Sequence, residues 1–374
     1  MLKSRLCIAF FAFAVGCAPA QKPLTDYVNP MLGTATLWDS VDLGFKPTKR
    51  TWGAEVFPGS SLPNAMVQVS PVTKFHSGAG YQYEDSVIYG FTHTNKGHWN
   101  LCHIPLLPVT GTPTPGDYCS PFSHERESAA PGYYQVFLDR YGVDAQLSST
   151  LRCAFHKYTY PAGAAASLLA DLQRSNEHVR AWDIRKEGDN VFAGWQQTGE
   201  KMYFYAVANR PVTGIEPVVE GDREVRIVRF GEGDGALELR IGFSFVSEKN
   251  ARENLEAEML GKSFAEVRSE ATATWNDLLG RIRVEGGTER EKGLFYSSLY
   301  RSFLWPALRS DVNGEFTDVD GKVINPGFRY YTGPSYWDDY RNKLILLGML
   351  APDVAADVIS SDTDKGEKRG GFMP

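Results

Sequence analysis

Cysteine is scarce in this chain, positive charge is not in excess, and no apolar run is long enough to cross a bilayer. There are 5 cysteines in 374 residues. Cys7 and Cys17 fall within the first twenty residues, which leaves Cys102, Cys119 and Cys153. Three thiols without a CxxC pair exclude a disulfide framework. At most one disulfide can form, with Cys102 and Cys119 the nearer pair in sequence, and free buried thiols are the other reading. A formal net charge of −6 gives no electrostatic footprint for nucleic acid or for an anionic membrane surface. Internal repeats and low-complexity segments are also missing.

The one sustained apolar run is at the start. MLKSRLCIAFFAFAVGCAPA sets Lys3 and Arg5 before Leu6–Val15 and ends in small residues. That is the pattern of a signal peptide over 1–20, too short to be a spanning helix. Two processing sites compete. One follows Ala18-Pro19-Ala20. The other is Ala14-Val15-Gly16-Cys17, which resembles a bacterial lipoprotein box and would put a lipid anchor on Cys17. Either predicts export, to the periplasm, to the outer membrane as a lipoprotein, or outside the cell.

The length predicts two domains. From Tyr27 to about Ser247 the pattern is that of β-strands. Leu237, Leu239, Ile241, Phe243 and Phe245 alternate strictly, and Tyr203, Tyr205 and Val207 share a face. Turn clusters such as Glu187–Asn190 and Gly231–Gly235 separate the runs. A large antiparallel sandwich is expected. After Ser247 the period lengthens: Leu255, Met259, Phe264, Val267, Ala271, Trp275 and Leu278 mark a helical segment broken at Gly261. RIRVEGG (281–287) is strand-like. Phe295, Leu299 and Phe303 mark a helix stopped by Pro306. Further helices are expected over Tyr336–Leu350 and, with Pro352 first, over Asp353–Ser361. Three or four helices make an unfinished core, so the Phe295/Leu299/Phe303 face is expected to be exposed.

Aromatic residues reach 13%, with 8 Trp and 18 Tyr. They serve core packing, or offer flat faces to the apolar side of a pyranose. FTHTNKGHWNLCHIPLLP (91–108) sets His93, His98 and His103 five apart around Trp99 and Cys102. Zinc, a ligand-facing loop and plain loop structure are the competing readings; steps of five fit neither a helix face nor a strand face. Gly59-Ser60-Ser61, between prolines, reads as a tight turn rather than a phosphate loop. DVNGEFTDVDG from Asp311 fails as an EF-hand, with Phe316 where glycine is needed and Lys322 where glutamate is. It predicts turns at Asn313-Gly314 and Asp320-Gly321. In YWDDYR (336–341), neighbouring helical aspartates point about 100° apart and cannot flank one bond as acid and base. Asp338 and Trp337 each share a face with Arg341, and a surface ion pair at a helix start is the plain reading.

DYVNPMLGT (26–34), FPGSSLPNAMVQVSP (57–71), AGYQYEDSVIYGFTHT (79–94), IPLLPVTG (104–111) and SHERESAAPGYYQVFL (123–138) together resemble glycoside hydrolase family 92. DVNGEF and YWDDYR resemble the start of that family's helical half. The resemblance implies a multidomain fold: an N-terminal β-sandwich (26–248), a helical linker (249–282) and the start of an (α/α)6 barrel (283–374). It implies an exported exo-α-mannosidase acting on mannose-containing glycans, N-glycans among them, calcium-dependent and inverting. Asp338 becomes a sugar ligand supported by Trp337 and Arg341, with Gly59, Ser60, His93, Trp99 and His103 as further candidates from the sandwich loops. HTNKGHWNLCH stands where many relatives have an HxxSGxGC-type loop. The family's acid, base and most calcium ligands are expected beyond Pro374, so the chain is expected to be inactive alone. A non-catalytic carbohydrate-binding protein is the rival, and a metal hydrolase built on the three histidines the more distant one.

Overall fold

The structure, a computed structural model, describes residues 22–37, 40, 44–46, 54–95, 101–233, 235–333 and 336–371, without the Asp338 side chain. The signal peptide with Cys17, and His98 and Trp99, lie outside the described residues.

Two antiparallel sheets form the first part. One has seven strands, in the spatial order 60–61, 68–72, 90–92, 106–109, 167–170, 223–230 and 212–220. The other has eight, in the order 181–188, 191–197, 201–208, 237–244, 153–159, 143–149, 133–138 and 127–130. The alternating strand Leu237–Ser244 is central in the second sheet, pairing with Cys153–Thr159 on one side and Lys201–Ala208 on the other. Its Leu237, Leu239, Ile241 and Phe243 enter a core shared with Val69, Phe91, Leu107 and Leu169 of the first sheet. On Lys201–Ala208 the inward side chains are Met202, Phe204 and Ala206, while Tyr205 and Val207 face a second cluster around Phe155 and Leu255. Cys102, Cys119 and Cys153 are all free, so the Cys102–Cys119 disulfide is not formed.

Helix α1 (Glu248–Glu258) starts at Ser247, whose hydroxyl accepts the Asn250 amide, and covers the outer face of the second sheet with Leu255. Gly261, at φ +90, turns the chain into α2 (Phe264–Leu279). There Ser263 and Glu266 make a reciprocal capping box, as Thr288 and Glu291 do for α3 (Glu289–Ser302). The buried Trp275 donates to the Ser61 carbonyl at 2.7 Å and lies 4.3 Å from the Tyr300 ring, joining α2, α3 and the first sheet in one core.

Several expectations need correction. RIRVEGG forms no strand. Leu299 and Phe303 are buried and only Phe295 is exposed, because steps of four drift about 40° each around a helix. The inward stripe is instead Tyr296, Leu299, Tyr300 and Phe303. The helix over Tyr336–Leu350 is two pieces, α4 (Tyr336–Asp339) and α5 (Lys343–Leu350). The last helix, α6 (Pro352–Lys368), begins at Pro352 as expected but runs seven residues past Ser361. The Asn313-Gly314 and Asp320-Gly321 turns form, with φ +85 and +77 at their glycines, around the small hairpin Phe316–Thr317/Val323–Ile324.

Candidate functional site

Strand Leu237–Ser244 delivers Phe245 to the rim where the sheets meet the helical part, and residues 307–311 cross over it. The Arg309 guanidinium lies 3.8 Å from the Phe245 ring centroid and pairs with Glu200 from the 198–201 turn. The backbone beneath it is fixed. The Arg309 amide donates to the Tyr330 carbonyl at 2.7 Å, and Arg152 Nε donates to the Ser310 carbonyl at 2.8 Å.

Phe245, Arg309 and Thr332 belong to two adjoining hollows. One is a recess of about 20 Å³ with Gln68, Thr94, Leu101 and Trp305 on its walls. The other is a cleft of about 730 Å³ reaching Lys201, Tyr203, Phe316, Asp318, Tyr330 and Lys365. Phe316 and Tyr330 stack there, 3.6 Å apart and 18° from parallel. Lys365 Nζ sits 5.1 Å from the Tyr330 ring, donating to the Tyr331 carbonyl at 3.0 Å and to Asp362 at 3.1 Å. Burial lowers the Lys365 pKa, and the Asp362 charge opposes that. Burial alone would raise the Asp318 pKa. Bonds from Lys368 and from the Lys322 and Asp320 amides instead bring it below the usual carboxylate value. Tyr203 and Tyr330 have raised pKa values, chiefly from burial, so their hydroxyls stay protonated donors.

YWDDYR lies beside this cleft. Tyr336 donates to Asp362 at 2.6 Å, holding α4 against α6. Trp337 projects into solvent at 88% exposure. Asp339 is buried and pairs with Lys343 at 3.2 Å. Arg341 is exposed, past the end of α4, with Nε donating to the Tyr340 hydroxyl at 2.9 Å. The helix ends too early for Arg341 to share a helical face with Asp338 or Trp337.

The candidates from the sheet loops are internal. A Cβ on Gly59 would lie 2.0 Å from the Val69 carbonyl, so this glycine permits a close backbone approach. Ser60 Oγ lies 2.8 Å from Ser149 Oγ, both buried. His93 Nε2 is 3.0 Å from His156 Nε2, whose other nitrogen lies 2.6 Å from the Tyr158 hydroxyl. His103 bridges Thr94 and Thr198 through its two ring nitrogens, each at 3.0 Å. Burial lowers His93 and His103 to about 3, aided for His103 by the Arg309 charge, so both rings are neutral. Thr94, rather than either flanking histidine, reaches the recess. Among the described residues no three His, Cys, Asp or Glu side chains converge as metal ligands. The sequence reading missed Phe245, Arg309, Glu200 and Tyr330. Phe245 is the last apolar residue of an alternating run and reads as core; Arg309 stands in a segment with no periodicity.

Flat aromatic faces beside guanidinium, ammonium and hydroxyl donors, at the junction of two parts, define a class of site suited to small molecules that are polar at the edge and apolar on a face. The glycosyl hydrolase family 92 N-terminal domain matches residues 27–254, and the glycosyl hydrolase family 92 catalytic domain matches residues 250–374. The chain belongs to glycosyl hydrolase family 92. A family 92 α-mannosidase of Bacteroides thetaiotaomicron superposes with a TM-score of 0.84 at 26% identity, over 93% of this chain and 50% of that one. A family 92 inverting mannosidase of the same organism gives 0.81 at 25%, over 95% and 50%. An uncharacterized secreted glycosidase of Arthroderma benhamiae is 24% identical over 77% of this chain and 42% of that protein. The chain thus spans about half the length of these solved relatives and less than half of the curated one.

Proposed function

We propose that this chain forms the β-sandwich (26–248), the helical linker (249–282) and the first helices of the (α/α)6 barrel (283–374) of an exported, inverting exo-α-mannosidase acting on mannose-containing glycans such as N-glycans. The observation that carries this reading is the family match running in order through both parts, over 27–374. The cleft between those parts supports it. Export is supported by the signal-like first twenty residues and by the secreted glycosidase among the relatives. No helix among the described residues is long and apolar enough to cross a membrane.

The role of the seam is to bind. Phe245 and the Phe316/Tyr330 pair offer faces to a pyranose, and Arg309 and the tyrosine hydroxyls offer donors to its edge. Asp338, Trp337 and Arg341 are the proposed ligands of the terminal mannose, with Trp99 as a further proposed ligand. Gly59, Ser60, His93 and His103 hold the sandwich loops from within. Inversion needs a free carboxylic acid and a free carboxylate about 6.5–9.5 Å apart. Among the described residues, the carboxylates lining this cleft are Glu200 and Asp318, engaged by Arg309 and Lys368. The acid and base are therefore not residues of this cleft, and the chain alone binds without cleaving. Calcium is the ion the family likeness implies. Among the described residues no three His, Cys, Asp or Glu side chains converge to hold it, so no step is assigned to an ion here.

Ligand-observed NMR of the chain with methyl α-mannoside and α-mannobiose tests this, with free mannose followed in the same samples. Saturable binding that Arg309→Ala weakens, without mannose release, is expected. No binding overturns the site. Mannose release overturns the assignment of acid and base to other residues.

A further inference from the structure

Residues 173–182 carry the chain from strand Ser167–Ala170 of the first sheet to strand Ala181–Gly188 at the edge of the second. With His76 they line an open groove of about 740 Å³, within the ~300–1,000 Å³ span typical of small-molecule sites. Its exposed groups are His76, Glu177, His178 and Arg180, beside the half-buried Trp182. A mixture of one carboxylate, two imidazoles, a guanidinium and an indole suits a neutral polyhydroxyl ligand better than a strongly charged one.

The groove is held in shape by contacts behind and along its walls. His76 has φ +61, a backbone conformation costly for a residue with a Cβ. Asn176 holds it there twice: its side-chain oxygen accepts the His76 amide at 2.7 Å, and its carbonyl lies 3.1 Å from His76 Nδ1. Arg226 lies over the Trp182 ring, 5.3 Å from its centroid, and pairs with Glu224 at 2.7 Å. Arg174 is locked between the Phe75 and Tyr89 rings, at 5.4 and 5.3 Å, with its charge met by Asp171 at 3.6 Å. Strain retained by a dedicated clamp and an aromatic braced by a cation are features of a preorganised surface.

The groove is also tied to the seam by hydrogen bonds at two points. The Ser175 hydroxyl and the Asn176 amide both donate to the carbonyl of Leu101, which lines the recess. The amide of Gly199, which lines the cleft, donates to Glu177 at 3.2 Å. These ties set the 173–182 segment beside the Leu101 and Gly199 edges of the seam.

We propose that this groove is a second carbohydrate subsite, which takes a pyranose further along the glycan whose terminal mannose sits at the seam, with Trp182 as stacking face and His178 and Arg180 as hydroxyl partners. This rests on the mannoside reading of the seam. The test is isothermal titration of the chain with a series from methyl α-mannoside through mannobiose to a mannotetraose. Wild type, Trp182→Ala and His178→Ala are compared, and circular dichroism checks that each variant is folded. Affinity is expected to rise with length in the wild type. Both variants should leave methyl α-mannoside binding unchanged and lower tetraose affinity by about tenfold, the worth of one lost stacking or hydrogen-bonding contact. His178 is exposed, so its variant keeps the test open if Trp182→Ala unfolds. Wild type that binds short and long mannosides equally, or variants that keep the full gain with length, overturn the subsite alone. Wild type that binds no mannoside of any length overturns the seam reading together with it.

Discussion

Burial fixes the state of His93, His103 and His156. Each ring is fully enclosed and hydrogen-bonded to neutral partners, and desolvation lowers all three pKa values, to about 3 for the first two. As pH falls through 6.5, the ordinary value for histidine, the unfolded chain takes up a proton at each site and the folded chain does not. For His93 and His103 the stability they contribute is thus complete above pH 6.5 and drains between 6.5 and 3, by about 1.4 kcal/mol per pH unit for each of the two. At pH 5 that is about 2 kcal/mol each, before most carboxylates begin to titrate. The urea midpoint of the wild type is therefore expected to fall between pH 7 and pH 5, and that of His103→Gln to fall by less. Equal slopes for the two proteins would mean that His103 is solvated.

At the scale of elements, the joint between sheet and helices turns on Asp311. Its carboxylate accepts from Ser244 at 2.6 Å at the end of a central strand, and from Asn250 at 2.9 Å and Asn254 at 2.6 Å on α1. Beside it, Glu258 at the end of α1 accepts from Thr150 at 2.6 Å and from Arg152 Nη1 at 2.7 Å. The strand end and α1, neighbours in sequence, meet a segment more than fifty residues further on at one buried acid, two residues from Arg309. Asp311→Ala strands three buried donors, which places the expected loss at about 3 kcal/mol or more. A urea midpoint displaced by that amount checks it, and a change below 1 kcal/mol would show that the donors find other partners. The same joint marks where sequence reading stops. Strands such as Leu237–Ser244 and the capped helices α2 and α3 are legible because period and cap are local. Asp311 reads as a turn residue beside an imperfect calcium loop, because its partners lie more than fifty positions away. His103 reads as a ligand candidate because burial is not written in its neighbours. The YWDDYR helix reads as continuous because nothing in its composition announces the break at 340–342.

At the scale of the whole molecule, the sheets are closed and the last helices are not. α5, KLILLGML, is apolar all round, a composition that suits a helix covered on every side. Leu347 and Leu350 are buried, yet Ile345 is 62% and Met349 71% exposed, four residues apart on one face. Ile359 on α6, at 67%, and Trp337 on α4 add to the uncovered apolar surface. By contrast, the α3 face that the sequence suggested would be bare packs Leu299 and Phe303 into the core. Among the helices, the most exposed large apolar side chains therefore lie in the last three. An uncovered apolar patch of this kind binds hydrophobic dyes and drives association. The isolated chain is expected to bind anilinonaphthalene sulfonate in its native state and to scatter light as more than a monomer at micromolar concentration. The double variant Ile345→Lys/Met349→Glu, changed only at exposed positions, should lower both signals while leaving the urea midpoint within about 0.5 kcal/mol of the wild type, as surface substitutions do. If the native chain binds no dye, those side chains are covered in solution.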